Sequence, residues 1–254
     1  MGLETPGTVL VTGGGARIGR AISLDLGMRG WHVVVQYLHS DDGAQQVVED
    51  IIKAGSKAIV LQADLSKPEA VQAIIPRATA ELGPLKCLIN NASVFENDDI
   101  SSVDLTSWRA HMDVNLHAPL ILTQAFAAQA VADGGNVINI LDQRVWKLTP
   151  FFLSYTVSKA ALWTLTQTLA MALAPGIRVN GVGPGPTLPS PRQTDAQFAQ
   201  QCASTLLQRG ASPEEICAAI QFILSTPSMT GQMIALDGGQ HLAWQSPENS
   251  NGQE

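Results

Sequence analysis

The chain has 254 residues, 45% of them hydrophobic, and a formal net charge of −7. This suits one α/β domain with a single sizeable core, and the acidic balance excludes nucleic acid and anionic membrane as main partners, because phosphate binding needs a basic patch. Residues 1–7 carry no basic, apolar leader, no apolar run approaches the ~20 residues of a membrane span, and the odd set Cys87, Cys202 and Cys217 lacks CxxC spacing, which argues against a disulfide framework or a metal site and for a reducing cytoplasm.

Thr8 to Thr12 is a short β-branched run that ends in Gly13-Gly14-Gly15 and predicts a buried strand. Ile18 to Met28 has helical spacing, with Gly30 as a stop. A strand follows over Trp31 to Tyr37, a helix over Asp41 to Ala54 and a strand over Ala58 to Leu61. Pro68 opens the next helix at a favoured first-turn position. Leu85 to Ile89 reads as strand four. Trp108 to Val131 reads as one long helix kinked at Pro119, and Asn136 to Leu141 as strand five. Phe152 to Ala174 is helical, Ile177 to Val182 is strand six, Glu214 to Leu224 is helical, and Met233 to Leu236 is the last strand. Leu188 to Phe198 holds Pro189 and Pro191 and is expected to be an irregular loop.

Strands alternating with helices imply βαβ crossovers and a parallel sheet, and nearly continuous apolar strands imply helices on both faces. The expectation is an α/β fold: a single doubly wound, Rossmann-like domain over residues 1–244 with a mostly parallel seven-stranded sheet. The polar tail over residues 245–254 is expected to be disordered.

Two features point to chemistry. Thr12 to Gly19 follows a strand and opens a helix, so its small residues admit a pyrophosphate to the backbone and the helix terminus attracts its charge. Tyr155 and Lys159 stand at i and i+4, on one helix face. There the ammonium is expected to lower the phenol's pKa, leaving Tyr155 to donate a proton during hydride transfer. The second strand ends Gln36-Tyr37-Leu38-His39-Ser40, with no carboxylate to repel a 2′-phosphate. Arg17, His39 and Ser40 could hold that phosphate, which favours NADPH over NADH. His39 and Ser40 also suit a capping loop for the next helix.

With these residues in place the chain resembles the short-chain dehydrogenase/reductase family over nearly its whole length. The matching landmarks are Thr12 to Gly19, Asp64, Asn90 to Ser93, Asn115, Tyr155/Lys159, Pro184-Gly185 and Asp237 to Gly239. The resemblance implies a cofactor site at Gly13, Arg17, Ile18, Asp64, Leu65, Asn91, Ala92, Ser93, Tyr155, Lys159, Pro184 and Gly185. It also implies that Asn115 helps to hold a water leading to the lysine, and that the protein is a homotetramer.

Three departures narrow the resemblance. Arg17 replaces a loop glycine, Asp142 replaces the serine 13 positions before the tyrosine, and Ser93-Val94-Phe95 replaces the glycine after Asn-Asn-Ala. Together they resemble the pteridine reductase and dihydromonapterin reductase branch. By position, Phe95 would stack on a pterin, Arg17 would meet pyrophosphate and pterin edge, and Ser93 would contact cofactor and ring. Reducing a C=N bond needs a proton at nitrogen, which Asp142 beside Tyr155 can relay; its carboxylate can otherwise accept hydrogen bonds from a 2-amino group. Leu188 lies in the usual substrate-lid stretch. The expected function is NADPH-dependent reduction of a pterin or folate-like ring, with catalytic Asp142, Tyr155, Lys159 and Asn115. The alternatives are a carbonyl reductase of the same family and a non-catalytic nucleotide-binding sensor.

Overall fold

The computed structural model describes residues 6–129 and 134–243. The expected tail at residues 245–254 and the expected helix end at residues 130–131 lie outside the described residues. Seven parallel strands form one sheet in the order β3-β2-β1-β4-β5-β6-β7. They are β1 Thr8–Val11, β2 His32–Tyr37, β3 Ala58–Gln62, β4 Leu85–Asn90, β5 Gly135–Ile140, β6 Ile177–Pro184 and β7 Met233–Leu236. The helices are α1 Arg17–Met28, α2 Asp41–Lys53, α3 Pro68–Leu82, α4 Leu105–Met112, α5 Ala118–Ala128, α6 Leu153–Leu173, α7 Asp195–Ala203 and α8 Pro213–Ser225.

Strand pleating divides the core in two. Val9, Val11, Val33, Val35 and Ile89 face one layer with α1, α2 and α8 residues such as Ile22, Val47 and Ile220. Leu10, Val34, Leu88 and Val137 face the other, with Ile74 of α3 and Leu122 and Phe126 of α5. Both faces are therefore covered, the reason the strands read as unbroken apolar runs. The sheet grows outward from β1 to β3, then returns to add β4 on the other side of β1. The crevice at the carboxyl ends of β1 and β4 is the switch point where open α/β sheets bind ligands.

Two expectations are corrected. The long helix runs without a break to Ala128, but its bounds differ and its irregularity is a π turn just before Pro119. It starts at Leu105, where Asp104 accepts the Ser107 N–H at 2.7 Å, and it widens into a π turn over Asp113–His117 before α5. Pro119 has no N–H for the carbonyl of Asn115, and the widened turn lies at that missing bond. The helix ends at Ala128 because Gln129 turns extended and its amide pairs with both backbone groups of Leu85. The second correction concerns Leu188 to Phe198: α7 begins at Asp195, inside that stretch. Thr194 and Gln197 form a reciprocal capping box that starts the helix just beyond the prolines. No helix among the described residues is long and apolar enough to cross a membrane.

Candidate active site

Four strand ends supply one cavity of about 900 Å³. Gly13 comes from the turn after β1 and Arg17, Ile18 and Gly19 from the start of α1; Asn91, Ala92, Ser93 and Phe95 come from the segment after β4. Leu141, Asp142 and Gln143 follow β5, Pro184, Gly185 and Leu188 follow β6 or end it, and α6 contributes Tyr155 and Lys159.

The glycine turn is close-packed. Gly13 has φ +61°, in the left-handed region, and a Cβ on Gly19 would sit 2.1 Å from the Gly13 carbonyl oxygen. The turn is tied at both sides. Gly13 N–H donates to Gln36 Oε1 at 2.9 Å, and the Thr12 hydroxyl accepts the N–H groups of Asn91 and Ala92 at 2.9 and 3.0 Å. Asn91 Nδ2 donates to the Thr12 carbonyl at 2.8 Å. Thr12 and Gln36 are thus the residues that lock this turn to β4 and β2. Gln36 was visible only as part of a strand end, since nothing local marks its side chain as buried.

Tyr155 O–H donates to Asp142 Oδ2 at 2.8 Å, and Asp142 Oδ1 accepts the Arg144 N–H at 2.8 Å. Lys159 Nζ donates to the Ile140 carbonyl at 2.8 Å and lies 5.9 Å from the centre of the tyrosine ring. Burial raises the Asp142 pKa above the usual carboxylate value, opposed by the Arg144 N–H. Burial, and then the Asp142 charge, push the Tyr155 phenol well above 10. Burial lowers Lys159 to about 8, against the pull of Asp142. The expectation that Lys159 lowers the phenol is therefore reversed: a buried carboxylate is its hydrogen-bond partner and the ammonium bonds elsewhere.

Asn115 is held by direct partners. Its Oδ1 accepts from Val94 N–H at 2.8 Å and from the Ser93 hydroxyl at 3.2 Å. Its Nδ2 donates to the Val94 carbonyl at 2.9 Å and to Ser158 Oγ at 3.0 Å. It thus joins the segment after β4 to α6, one residue from Lys159. Phe95 stacks on Phe152 at 4.6 Å and 4° and meets the edge of Tyr155 at 4.6 Å. Arg17 reaches the 188–198 stretch rather than the carboxyl end of β2, donating to the carbonyls of Pro189 at 2.9 Å and Leu188 at 3.3 Å.

His39, Ser40, Asp64 and Leu65 lie apart from the cavity wall, at the adjacent ends of β2 and β3. Ser40 takes the N-cap position of α2 without a side-chain capping bond. Bonds from the Ser66 hydroxyl and N–H hold the Asp64 carboxyl below its usual value, and nearby Lys67 and His39 add to this. Leu65 is buried. Trp146 packs edge-on against Trp163 and His241.

The family model described as short chain dehydrogenase matches residues 7–200. The chain belongs to the short-chain dehydrogenase family. Two solved structures resemble this short-chain dehydrogenase over nearly its full length. FolM alternative dihydrofolate reductase 1 from Brucella canis, complexed with NADP, is 44% identical with a TM-score of 0.93, covering 97% of this chain and 98% of that one. Its counterpart from Brucella suis, also with NADP, is 45% identical with a TM-score of 0.92, covering 98% and 99%. An uncharacterized oxidoreductase of Methylorubrum extorquens is 36% identical over 238 residues, 91% of this chain and 96% of the relative. A 3-oxoacyl-[acyl-carrier-protein] reductase of Synechocystis is 31% identical over 241 residues, 92% and 97% respectively.

Sequence reasoning missed a buried polar support behind α6 of this short-chain dehydrogenase. Phe152, the N-cap residue of α6, has φ +57° and gives no capping bond. Asp98 caps the helix instead: its Oδ1 accepts the Ser154 N–H at 3.0 Å, its main-chain carbonyl accepts Leu153 N–H at 3.1 Å, and Oδ2 accepts the Ser154 and Ser107 hydroxyls. Burial pushes Asp98 up, but those bonds outweigh it and hold the carboxyl below its usual value. His111, fully buried, approaches the Ser107 carbonyl and Ser154 Oγ with Nδ1 at 2.8 and 2.9 Å, and its Nε2 accepts the Glu96 N–H at 3.1 Å. A carbonyl at Nδ1 and an N–H at Nε2 specify the neutral Nδ1–H tautomer. Asp98 and His111 thereby tie the Phe95 segment to the start of the Tyr155 helix. Arg192 adds a link from the 188–198 stretch, donating to the Phe95 carbonyl and the Glu96 carboxylate. No local pattern marks these residues, because each acts through partners distant in sequence.

Proposed function

We propose that this short-chain dehydrogenase is an NADPH-dependent reductase of a pterin or folate-like ring. One observation carries the reading. A carboxylate, Asp142, receives the Tyr155 hydroxyl at 2.8 Å in a cavity also lined by Phe95 and Arg17. The likeness to the two Brucella structures supports it.

The residues fit a dinucleotide. A Cβ at Gly13 would meet Ala92 at 3.2 Å, and Gly19 admits none, so the backbone of the turn is left bare. The opening N–H groups of α1 have no capping side chain and no acidic neighbour in the first turn. Gly13, Arg17, Ile18, Asn91, Ala92 and Ser93 would hold the pyrophosphate and nicotinamide half, bordered by Pro184 and Gly185. Asp64 and Leu65 would meet the adenine, and His39 and Ser40 a 2′-phosphate. NADPH supplies a hydride when bound.

The chain's own residues manage the proton. The phenol of Tyr155 stays protonated at neutral pH because burial and Asp142 raise it. Its O–H, or that of protonated Asp142, is available to a ring nitrogen. A carboxyl group accepts when ionised and donates when protonated, and its raised pKa brings both forms nearer to neutral pH. Lys159 keeps a positive charge behind them. Phe95, backed by its stack on Phe152, borders the cavity with Arg192 over its ring and would orient a heterocycle there once the guanidinium gives way.

The test is NADPH consumption by purified protein, followed at the nicotinamide absorbance, with dihydrobiopterin, dihydromonapterin and dihydrofolate in parallel and NADH as control. Turnover that prefers NADPH with one of these rings is expected. No turnover with any of them overturns the reading. The Tyr155/Lys159 pair also suits a ketone or aldehyde, as in a carbonyl reductase, and Asp142→Ser separates the two: it should improve carbonyl reduction and damage pterin turnover. Exposed Val157 and Met171 on α6 support association through that helix into a homotetramer, which light scattering after size exclusion tests.

A further inference from the structure

Gln143 follows Asp142 directly and opens a short 3-10 turn, Gln143–Val145. It is 6% exposed and lines the same cavity as Asp142, Tyr155 and Phe95. Its main-chain carbonyl accepts the Trp146 and Lys147 N–H groups at 2.9 and 3.3 Å, so the backbone here is fixed. Its side-chain carbonyl is buried and has no hydrogen-bond partner among the described residues. Asn90 and Thr156 also bury an oxygen without a partner, but neither lines the cavity.

A buried amide oxygen without a donor is unfavourable, and an apolar side chain of the same length would fill the space without that penalty. No hydrogen bond among the described residues uses this carbonyl. Its neighbours in the wall each have a partner: Asp142 accepts the Arg144 N–H on one oxygen and the Tyr155 hydroxyl on the other, and Arg17 donates to the Pro189 carbonyl. The acceptor left over beside Asp142 belongs to Gln143.

We propose that Gln143 is a substrate-orienting residue whose side-chain amide turns its buried carbonyl into the cavity to accept an N–H from the bound heterocycle. This rests on the pterin reading and names what the site recognises: a ring carrying N–H donors on a lactam or amidine edge. An amide offers an acceptor and a donor side by side, which matches an N–H beside a C=O. A simple ketone or aldehyde carries no such donor. A site with a committed hydrogen-bond acceptor rejects analogues lacking the donor, because its buried oxygen is then left unpaired.

The experiment compares wild type with Gln143→Met, which keeps the length and removes the polar atoms. The probes are dihydrobiopterin and a ring N-methylated dihydropterin, and NADPH affinity and thermal midpoint are measured alongside. The expected result is a KM for dihydrobiopterin raised ~10-fold with kcat within ~3-fold, NADPH affinity unchanged and a thermal midpoint equal or higher. Methylation should weaken the substrate in wild type and make little difference in Gln143→Met. An unchanged KM in an active Gln143→Met overturns this inference alone. A parallel fall in kcat, NADPH affinity and thermal midpoint also overturns it, since that is the signature of a structural side chain. A wild type that reduces no pterin removes the parent reading and this one with it.

Discussion

Lys159→Met is expected to stabilise the protein while destroying its activity. Lys159 is 2% exposed, and burial brings its pKa from 10.5 to about 8. Below pH 8 both the folded and unfolded chains hold this proton, and the folded chain bears the full penalty of burying the charge. At about 1.4 kcal/mol per pH unit that penalty is about 3 kcal/mol. It fades as pH rises from about 8 to 10.5, because the folded chain gives up its proton first. Methionine keeps the apolar stem and removes the charge, but it loses the bond to the Ile140 carbonyl, worth about 1 kcal/mol. The net gain is therefore about 2 kcal/mol at pH 7, shrinking to near zero by pH 9.5. Urea unfolding of both proteins at the two pH values, without cofactor, measures it. A variant less stable at pH 7, or a difference independent of pH, refutes the reasoning.

Asp142→Asn should lower kcat on a dihydropterin by ~100-fold or more while NADPH affinity stays within ~2-fold, as steady-state kinetics and a fluorescence titration show. Because burial raises the Asp142 pKa, its ionised form destabilises the fold above the ordinary carboxylate value, so Asp142→Asn should not reduce stability at neutral pH. Gly19→Ala places a methyl 2.1 Å from the Gly13 carbonyl oxygen and should abolish NADPH binding, seen as loss of the titration signal. Asp98→Ala strips the cap of α6 and leaves the Ser154 N–H and hydroxyl without their acceptor, costing about 3 kcal/mol in urea unfolding. Since Asp98 titrates below its usual value, its stabilisation is present above that value and is lost as pH falls through the folded one, and Asp98→Ala should show a flatter acid limb.

The sequence by itself determined the sheet and the place of the chemistry. Alternate residues of Val9-Leu10-Val11 face opposite helical layers, and that double burial is written locally as an unbroken apolar run. Tyr155 and Lys159 share a helix face by spacing alone, and Asp142 follows β5 because the strand ends at Ile140. Local patterns failed where tertiary contact outweighed them. Pro119 marked an irregularity but not its form, a π turn around Asn115 whose side chain bridges Val94 and Ser158. The helix spacing implied a Tyr155 governed by Lys159, but depth in the protein set the order of charges: Asp142 takes the phenol and Ile140 takes the ammonium. The Asp98 cap, the neutral His111 tautomer, the Phe95–Phe152 stack and the orphaned Gln143 carbonyl were decided by the tertiary structure alone. Hydrogen bonding and desolvation depend on what stands within a few ångströms in space, and in these cases sequence distance says nothing about that.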